Sequence, residues 1–122
     1  MYSQSEKTIK YNLQQRTFIF SLEIIKLTKK LQNSYTDQTL GKQLLRSACS
    51  IGANIIEAQS APSKKDFANF YNIALKSANE SIYWLELLKR TMQYEAKIDK
   101  LLDELKQICK IIAKSLITMR GK

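Results

Sequence analysis

Residues that interrupt helices are scarce in this chain, and this scarcity narrows the possible folds more than any motif does. Only 3 of its 122 residues are Gly and 1 is Pro. A β-rich domain needs frequent tight turns, which Gly and Pro form most readily. Long helices need few such residues. The sequence therefore predicts an all-α fold, and its length favours a single domain.

Apolar residues recur every three or four positions over four stretches, at about 13–32, 38–60, 64–93 and 98–119. This is the spacing of one face of an α-helix, so each stretch is predicted to form one helix. The expected core face of the first helix consists of Phe18, Leu22, Ile25 and Leu31, widened by Phe20, Ile24 and Leu27.

The connections between the predicted helices are short. Residues 33–37 have turn chemistry, Pro62 ends the second helix, and Ser63 with Asp66 has the spacing of a capping box. Helices joined by so few residues pack antiparallel. We predict an up-down-up-down antiparallel four-helix bundle over 13–122, preceded by a partly disordered or fraying N-terminal extension, 1–12.

The centre of the second helix is small and polar. A Gly such as Gly52 costs about 1 kcal/mol relative to Ala in a helix interior, and close contact with another helix would offset that cost. Ser47, Ser50, Asn54 and Glu57 form one polar stripe, which needs partners in another helix or subunit if it is buried. We predict a role in helix packing or oligomerisation for Ser50, Gly52, Asn54 and Glu57; the alternative is a solvent-facing stripe without a role.

The third helix is apolar over more of its circumference than one core face requires. Tyr83 and Trp84 are adjacent and therefore point in different directions. Aromatic residues are enriched at subunit interfaces. We predict Phe70, Tyr83 and Trp84 at an oligomer interface, the alternative being a wide core face.

The charge is strongly unbalanced, with 20 Lys+Arg against 11 Asp+Glu and a formal net charge of +9. Such a chain favours contact with polyanions. Lys106, Lys110 and Lys114 repeat at intervals of four and share one helix face. The predicted nucleic-acid-binding residues, for RNA or DNA, are Lys26, Lys29, Lys30, Lys64, Lys65, Lys106, Lys110 and Lys114. The alternative for each cluster is solvated Lys.

The chain contains no His, which excludes His-dependent nucleophile pairs and His metal sites. It also lacks the Gly-rich loops that bind phosphates. We therefore expect no enzymatic activity, no cofactor and no bound metal.

Cys49 and Cys109 have no CxxC partner, so we expect buried free thiols in a reducing cytoplasm; the alternative is a disulfide between them. The opening segment MYSQSEKTIK is too polar for a signal peptide. The longest charge-free run is far shorter than a membrane span, so we expect no membrane partner.

Five blocks follow one another along the chain: LQQRTFIFSLEIIKL at 13–27, SIGANIIEA at 50–58, SKKDF at 63–67, IALKSANES at 73–81 and YWLELL at 83–88. In order and spacing they resemble the small four-helix-bundle proteins associated with intervening sequences in bacterial 23S rRNA genes. The resemblance covers about 11–119. The sequence departs from related branches at Ala58, where these have Gly, and at Gln14 and Gln15, where they have acidic residues.

This resemblance implies a homopentamer, because members of the family associate in this way, often around a central channel. They are similar to the accessory proteins of diversity-generating retroelements, basic pentamers that bind nucleic acid and a reverse transcriptase. Most members have no established biochemical activity. The expected function is thus a homo-oligomeric nucleic-acid-binding protein. The alternative is a scaffold or accessory subunit for a partner protein such as a reverse transcriptase.

Overall fold

Four helices make up the part of the chain that this computed structural model describes, which comprises residues 11–31, 34–91 and 95–121. They are α1 (Leu13–Lys29), α2 (Tyr35–Ala58), α3 (Lys64–Thr91) and α4 (Glu95–Arg120). No strand occurs within these residues, so the prediction of an all-α fold is confirmed. Most of the predicted N-terminal extension, 1–10, lies outside the described residues.

Side-chain caps set the starts of α1 and α2. The Asn12 side chain accepts a hydrogen bond from the backbone N–H of Gln15 at 2.9 Å, and the Gln15 side chain accepts one from the Asn12 backbone N–H at 3.0 Å. Ser34 Oγ accepts from the backbone N–H of Asp37 at 3.0 Å. Because Ser34 satisfies a free N–H of the first turn, α2 begins at Tyr35, three residues earlier than the sequence predicted.

The predicted cap of α3 is confirmed. Ser63 Oγ accepts a hydrogen bond from the backbone N–H of Asp66 at 3.1 Å. The Asp66 carboxylate accepts from the Ser63 hydroxyl at 3.0 Å. Asp66 therefore uses its carboxylate on the hydroxyl, whereas the longer Glu of a capping box accepts from the backbone N–H of the cap residue.

Each helix packs against its neighbours in the chain, and α1 also packs against α4. Across the described ranges, no Cα atom of α1 lies within 8 Å of one in α3, and the same holds for α2 and α4. The four helices thus form a closed ring around one core, as in a four-helix bundle. The largest fully buried side chains are Phe20, Ile24, Leu27, Leu31, Leu44, Ile51, Ile55, Leu85, Leu88, Ile98, Leu105 and Ile108.

The predicted core face of α1 was wrong for two residues. Phe18 is 64% exposed and Leu22 is 44% exposed, whereas Phe20, Ile24 and Leu27 are buried. Both sets of residues have helical spacing, so periodicity alone does not distinguish them. The buried set is the one on the side of α1 that packs on α2 and α4.

A buried ion pair joins α1 to α4. Arg16 is only 2% exposed, and its guanidinium donates to both carboxylate oxygens of Glu104, at 2.6 and 3.1 Å. It also donates to the side-chain oxygen of Gln107 at 2.9 Å. This two-pronged geometry is the strongest form of side-chain hydrogen bonding. Arg46 and Glu80 form a second ion pair, which joins α2 to α3 and is exposed.

Replacing Arg16 with Met should lower the free energy of unfolding by about 3 kcal/mol, because the mostly buried Glu104 would keep its charge without a partner. Urea unfolding followed by circular dichroism measures this loss. The double variant Arg16→Met, Glu104→Met should recover most of it, since an apolar pair replaces the ion pair.

The matched control for this prediction is Arg46→Met, which breaks the exposed pair with Glu80. It should cost less than about 1 kcal/mol, because solvent screens exposed pairs. If Arg16→Met and Arg46→Met lowered the free energy of unfolding equally, burial of Arg16 would not be what makes its ion pair important.

Candidate functional site

Two of the four residues of the polar stripe of α2, Ser47 and Ser50, bond to α3 of the same chain. Ser47 Oγ and Ser81 Oγ are 2.8 Å apart, and both residues are buried. The Ser77 hydroxyl donates to Ser50 Oγ at 2.9 Å. These pairs explain the small polar residues at the centre of α2: their partners are hydroxyls of a neighbouring helix.

The other two members of the stripe differ in role. Asn54 donates through Nδ2 to the Ser50 carbonyl oxygen at 2.8 Å and to Ser50 Oγ at 3.1 Å, so it bonds within its own helix. Glu57 is exposed. Its side chain therefore takes no part in helix packing within the chain, and its predicted role in oligomerisation stays a prediction.

Gly52 permits a close approach of α2 to α1. It is buried, and a Cβ placed on it would lie 3.3 Å from Thr17 Oγ1 and 3.4 Å from Thr17 Cβ. A larger side chain would force the two helices apart. This contact offsets the helix-propensity cost of Gly52.

The three aromatic residues predicted at an interface occupy different environments. Phe70 and Trp84 are half-buried and pack against the core, and Trp84 Nε1 donates to Glu80 Oε2 at 3.0 Å. Tyr83 is 59% exposed and lies edge-on to Trp84, with ring centroids 5.2 Å apart. The hydrogen bond from Trp84, aided by Arg46, holds the pKa of the Glu80 carboxyl below its ordinary value. Only Tyr83 of the three is largely available to a partner.

An apolar groove separates α1 and α2 on the surface. We call it the α1–α2 groove; it has a volume of about 410 Å³, and its lining includes Thr17, Phe18, Cys49, Ala53 and Ile56. Phe18 and Ile56 are both more than half exposed. The groove was not predicted from the sequence, because apolar periodicity placed Phe18 in the expected core.

The predicted Lys clusters do not all form one surface. Lys29 lines a cleft with Lys42, near the start of α2, whereas Lys64 and Lys65 begin α3 after α2 has ended. The part of α2 between Lys42 and Ala58 is about 24 Å long. Lys26, Lys29 and Lys30 therefore lie at the opposite end of the bundle from Lys64 and Lys65.

The remaining predicted cations are on α3 and α4. Lys106, Lys110 and Lys114 are all exposed on one face of α4. Lys64 and Lys65 line a groove together with Arg120 from the end of α4. We call these six residues the α3–α4 cationic surface. Arg120 was not among the predicted cations, because it is distant from Lys64 in the chain.

Carboxylates are absent from the helix segments that contain most of this surface. Segments 67–79 and 105–121 contain no Asp or Glu, and Asp66 is the one carboxylate in the first turn of α3. Within the part of the chain that the structure describes, no ion pair involves Lys106, Lys110 or Lys114. The exposed Asp103 lies one turn before Lys106, so the positive field is least compensated around Lys110 and Lys114.

A second groove between α3 and α4 is lined by aromatic and cationic residues. Phe67 and Tyr71 stack with ring centroids 4.6 Å apart and an interplanar angle of 26°. They line a groove of about 400 Å³ together with Ile111, Lys114, Ser115, Thr118 and Met119. We call it the Phe67 groove. Burial raises the pKa of the Tyr71 hydroxyl, and a hydrogen bond with Gln59 acts in the opposite direction.

Other chemistry is sparse. Cys49 and Cys109 are half-buried free thiols, and burial raises the pKa of the Cys109 thiol. Among the described residues, no three His, Cys, Asp or Glu side chains are placed to hold a metal ion. No helix in the same ranges is both long enough and apolar enough to cross a bilayer.

Replacing Gly52 with Leu should lower the free energy of unfolding by roughly 1–3 kcal/mol, because the larger side chain would collide with Thr17. Gly41→Ala is the control. Its new methyl would make ordinary contact with Leu31 at 3.4 Å, so the better helix former should stabilise α2 by up to about 1 kcal/mol. Chemical unfolding measures both changes. A Gly52→Leu variant as stable as the parent would refute the close approach.

Comparison with known proteins agrees with the bundle. The sequence matches the 23S rRNA-intervening sequence protein family over residues 10–114. A crystal structure from Bacteroides thetaiotaomicron VPI-5482, of a protein with unknown function from the S23 ribosomal protein family, is 40% identical, with a TM-score of 0.80. The similarity covers 86% of this chain and 98% of that one. No curated protein matches significantly. The resemblance noted in the sequence is confirmed: this chain belongs to the 23S rRNA-intervening sequence protein family.

Proposed function

We propose that this protein is a non-enzymatic homo-oligomer that binds RNA or DNA through the α3–α4 cationic surface. The observation that supports this most is that Lys106, Lys110 and Lys114 are exposed on one face of α4 and that none of them forms an ion pair with another described residue. Lys and Arg on such a surface replace the counterions of nucleic-acid phosphates. Binding would be largely independent of base sequence and strongly dependent on salt.

We further propose that the helices run up-down-up-down. Two pairs between α2 and α3 support this direction: Arg46 meets Glu80, whereas Ser50, one turn later in α2, meets Ser77, earlier in α3. The order of contacts is therefore reversed between the two helices. Lys89 and Asp99, 2.8 Å apart across the connection from α3 to α4, fit the same arrangement.

The proposed assembly is a homopentamer, as the family resemblance implies, with the α1–α2 groove in the contact between subunits. The exposed apolar side chains Phe18, Leu22 and Ile56 support this location, because contiguous exposed apolar groups mark protein interfaces. Five copies would multiply the cationic surface. Several weak phosphate contacts on one assembly then add up to strong binding.

The same groove favours a second candidate function, that of a scaffold or accessory subunit for a partner protein such as a reverse transcriptase. An apolar groove on α1 and α2 could hold a segment of that protein while the cationic surface stays open. In either case a cytoplasmic location fits the two free thiols, since thiols persist in reducing compartments.

Reversing Lys106, Lys110 and Lys114 to Glu should weaken the binding of structured RNA and duplex DNA. The slope of log affinity against log salt should also become less steep, by about one unit for each phosphate that the variant no longer binds. Fluorescence anisotropy of labelled strands, titrated with nuclease-treated protein at low and moderate salt, measures both quantities.

The matched control reverses Lys42, Lys97 and Lys100, which changes the net charge equally but lies outside the α3–α4 cationic surface. This control should retain most of the affinity. Equal losses for both triple variants would point to net charge alone, and unchanged affinity of the first variant would remove this surface from the proposal.

Replacing Phe18 with Glu should reduce the oligomer mass, because a charge would be buried in the proposed contact. Tyr35→Glu is the control, since Tyr35 is an exposed aromatic residue at the start of α2, away from the groove. Light scattering coupled to size exclusion measures the mass. An unchanged oligomer for Phe18→Glu would move the contact elsewhere, with Tyr83 as the next residue to change.

A further inference from the structure

We propose that the Phe67 groove binds an unpaired nucleobase, so that the preferred ligand is single-stranded nucleic acid. This inference rests on the proposed function and specifies the form of its ligand. A base would lie against the accessible surface of the Phe67 ring, and Lys114 would contact an adjacent phosphate.

The groove has the size and the lining that a base requires. Its volume of about 400 Å³ lies within the range of about 300–1,000 Å³ seen for sites of small organic ligands. Phe67 is half-buried and stacks on the buried Tyr71, which holds the ring in place. Proteins that bind single strands combine such aromatic surfaces with a cationic track for the backbone.

Charge complementarity favours an anionic ligand in this groove over an uncharged apolar one. Lys114 lines the groove, and Lys110 lies one helical turn before it. Ile111, Ser115, Thr118 and Met119 supply the rest of the α4 wall, without any carboxylate. The chain's own residues 1–10 contain two Lys and one Glu, so their charge does not complement this groove.

A duplex could not use the groove in the same way. Its bases are paired and stacked on each other, so only the phosphates remain available to Lys110 and Lys114. A single strand can place one base on Phe67 while its phosphates reach the same cations. Phe67 is therefore expected to discriminate between the two forms, whereas the Lys residues are not.

The test compares Phe67→Leu with the unchanged protein on an oligouridine that contains one central 2-aminopurine, used alone and annealed to its complement. Leu keeps the apolar volume but removes the aromatic ring. The variant should bind the single strand roughly 5- to 150-fold more weakly, the range expected for the loss of one base stack. Its affinity for the duplex should not change.

The emission of 2-aminopurine should fall on binding to the unchanged protein, as it does when the base stacks.

Two controls accompany this variant. Phe67→Tyr keeps a ring and should retain single-strand binding. Tyr35→Leu removes an exposed aromatic residue at the far end of the bundle and should change neither affinity. Thermal unfolding of each variant separates a loss of binding from a loss of folding.

The outcomes distinguish this inference from the proposed function. If Phe67→Leu affects both strands equally or neither, or if 2-aminopurine emission is constant, the groove is not a base site, while phosphate binding by Lys106, Lys110 and Lys114 can still stand. A lowered melting temperature without a change in affinity would mean that Phe67 serves only to pack the chain. If the unchanged protein binds no strand even at low salt, both proposals fail.

Discussion

The close packing of α2 against both of its neighbours is the constraint on which the rest of the bundle depends. On one side Gly52 leaves room for Thr17 of α1, and on the other side Ser47 is paired with Ser81 of α3. A shift of one helical turn would bring larger side chains into these contacts and separate the hydroxyls. The Ser47 and Ser81 hydroxyls also bond to carbonyl oxygens of their own helices, so a shift would cost the hydrogen bond between the helices rather than leave them without partners. This bond and the close approach at Gly52 favour one register of the helices. The large apolar residues of the core then occupy the space between helices whose positions are already fixed.

The closed ring of helices separates two surfaces of different chemistry. Because α1 contacts α2 and α4, and α3 contacts the same two helices, the α1–α2 groove and the α3–α4 cationic surface lie on opposite sides of the core. The first has exposed apolar side chains, including Phe18 and Ile56, and the second has a row of cations. If subunits meet through the α1–α2 groove, they leave the cationic surface accessible, so the two proposed roles do not compete for the same residues.

The sequence was sufficient to predict the four helices, because Gly and Pro are few and apolar residues recur with a helical period. It did not distinguish the two apolar faces of α1, since Phe18 and Phe20 both fit a helical period and burial depends on where α2 and α4 lie. For the site, the spacing of Lys106, Lys110 and Lys114 was sufficient to place them on one exposed face. Lys64 and Arg120 line one groove because of the relative register of α3 and α4, and the groove beside Phe67 depends on the same register. The sequence alone does not give this register. One signal was nevertheless present in the sequence: the absence of Asp and Glu from 67–79 and 105–121.

The distribution of charge is hard to explain by folding alone. Every buried side-chain nitrogen and oxygen in the described residues has a hydrogen-bond partner, so polar groups inside the bundle are fully used in packing. The cations of α4 are arranged differently: Lys106, Lys110 and Lys114 are spaced at intervals of four, where like charges destabilise a helix by a few tenths of a kcal/mol per pair. Solubility requires net charge but not its concentration on one face. A polyanion bound along α4 would remove the repulsion, and would convert an unfavourable arrangement of the isolated chain into a favourable one in the complex.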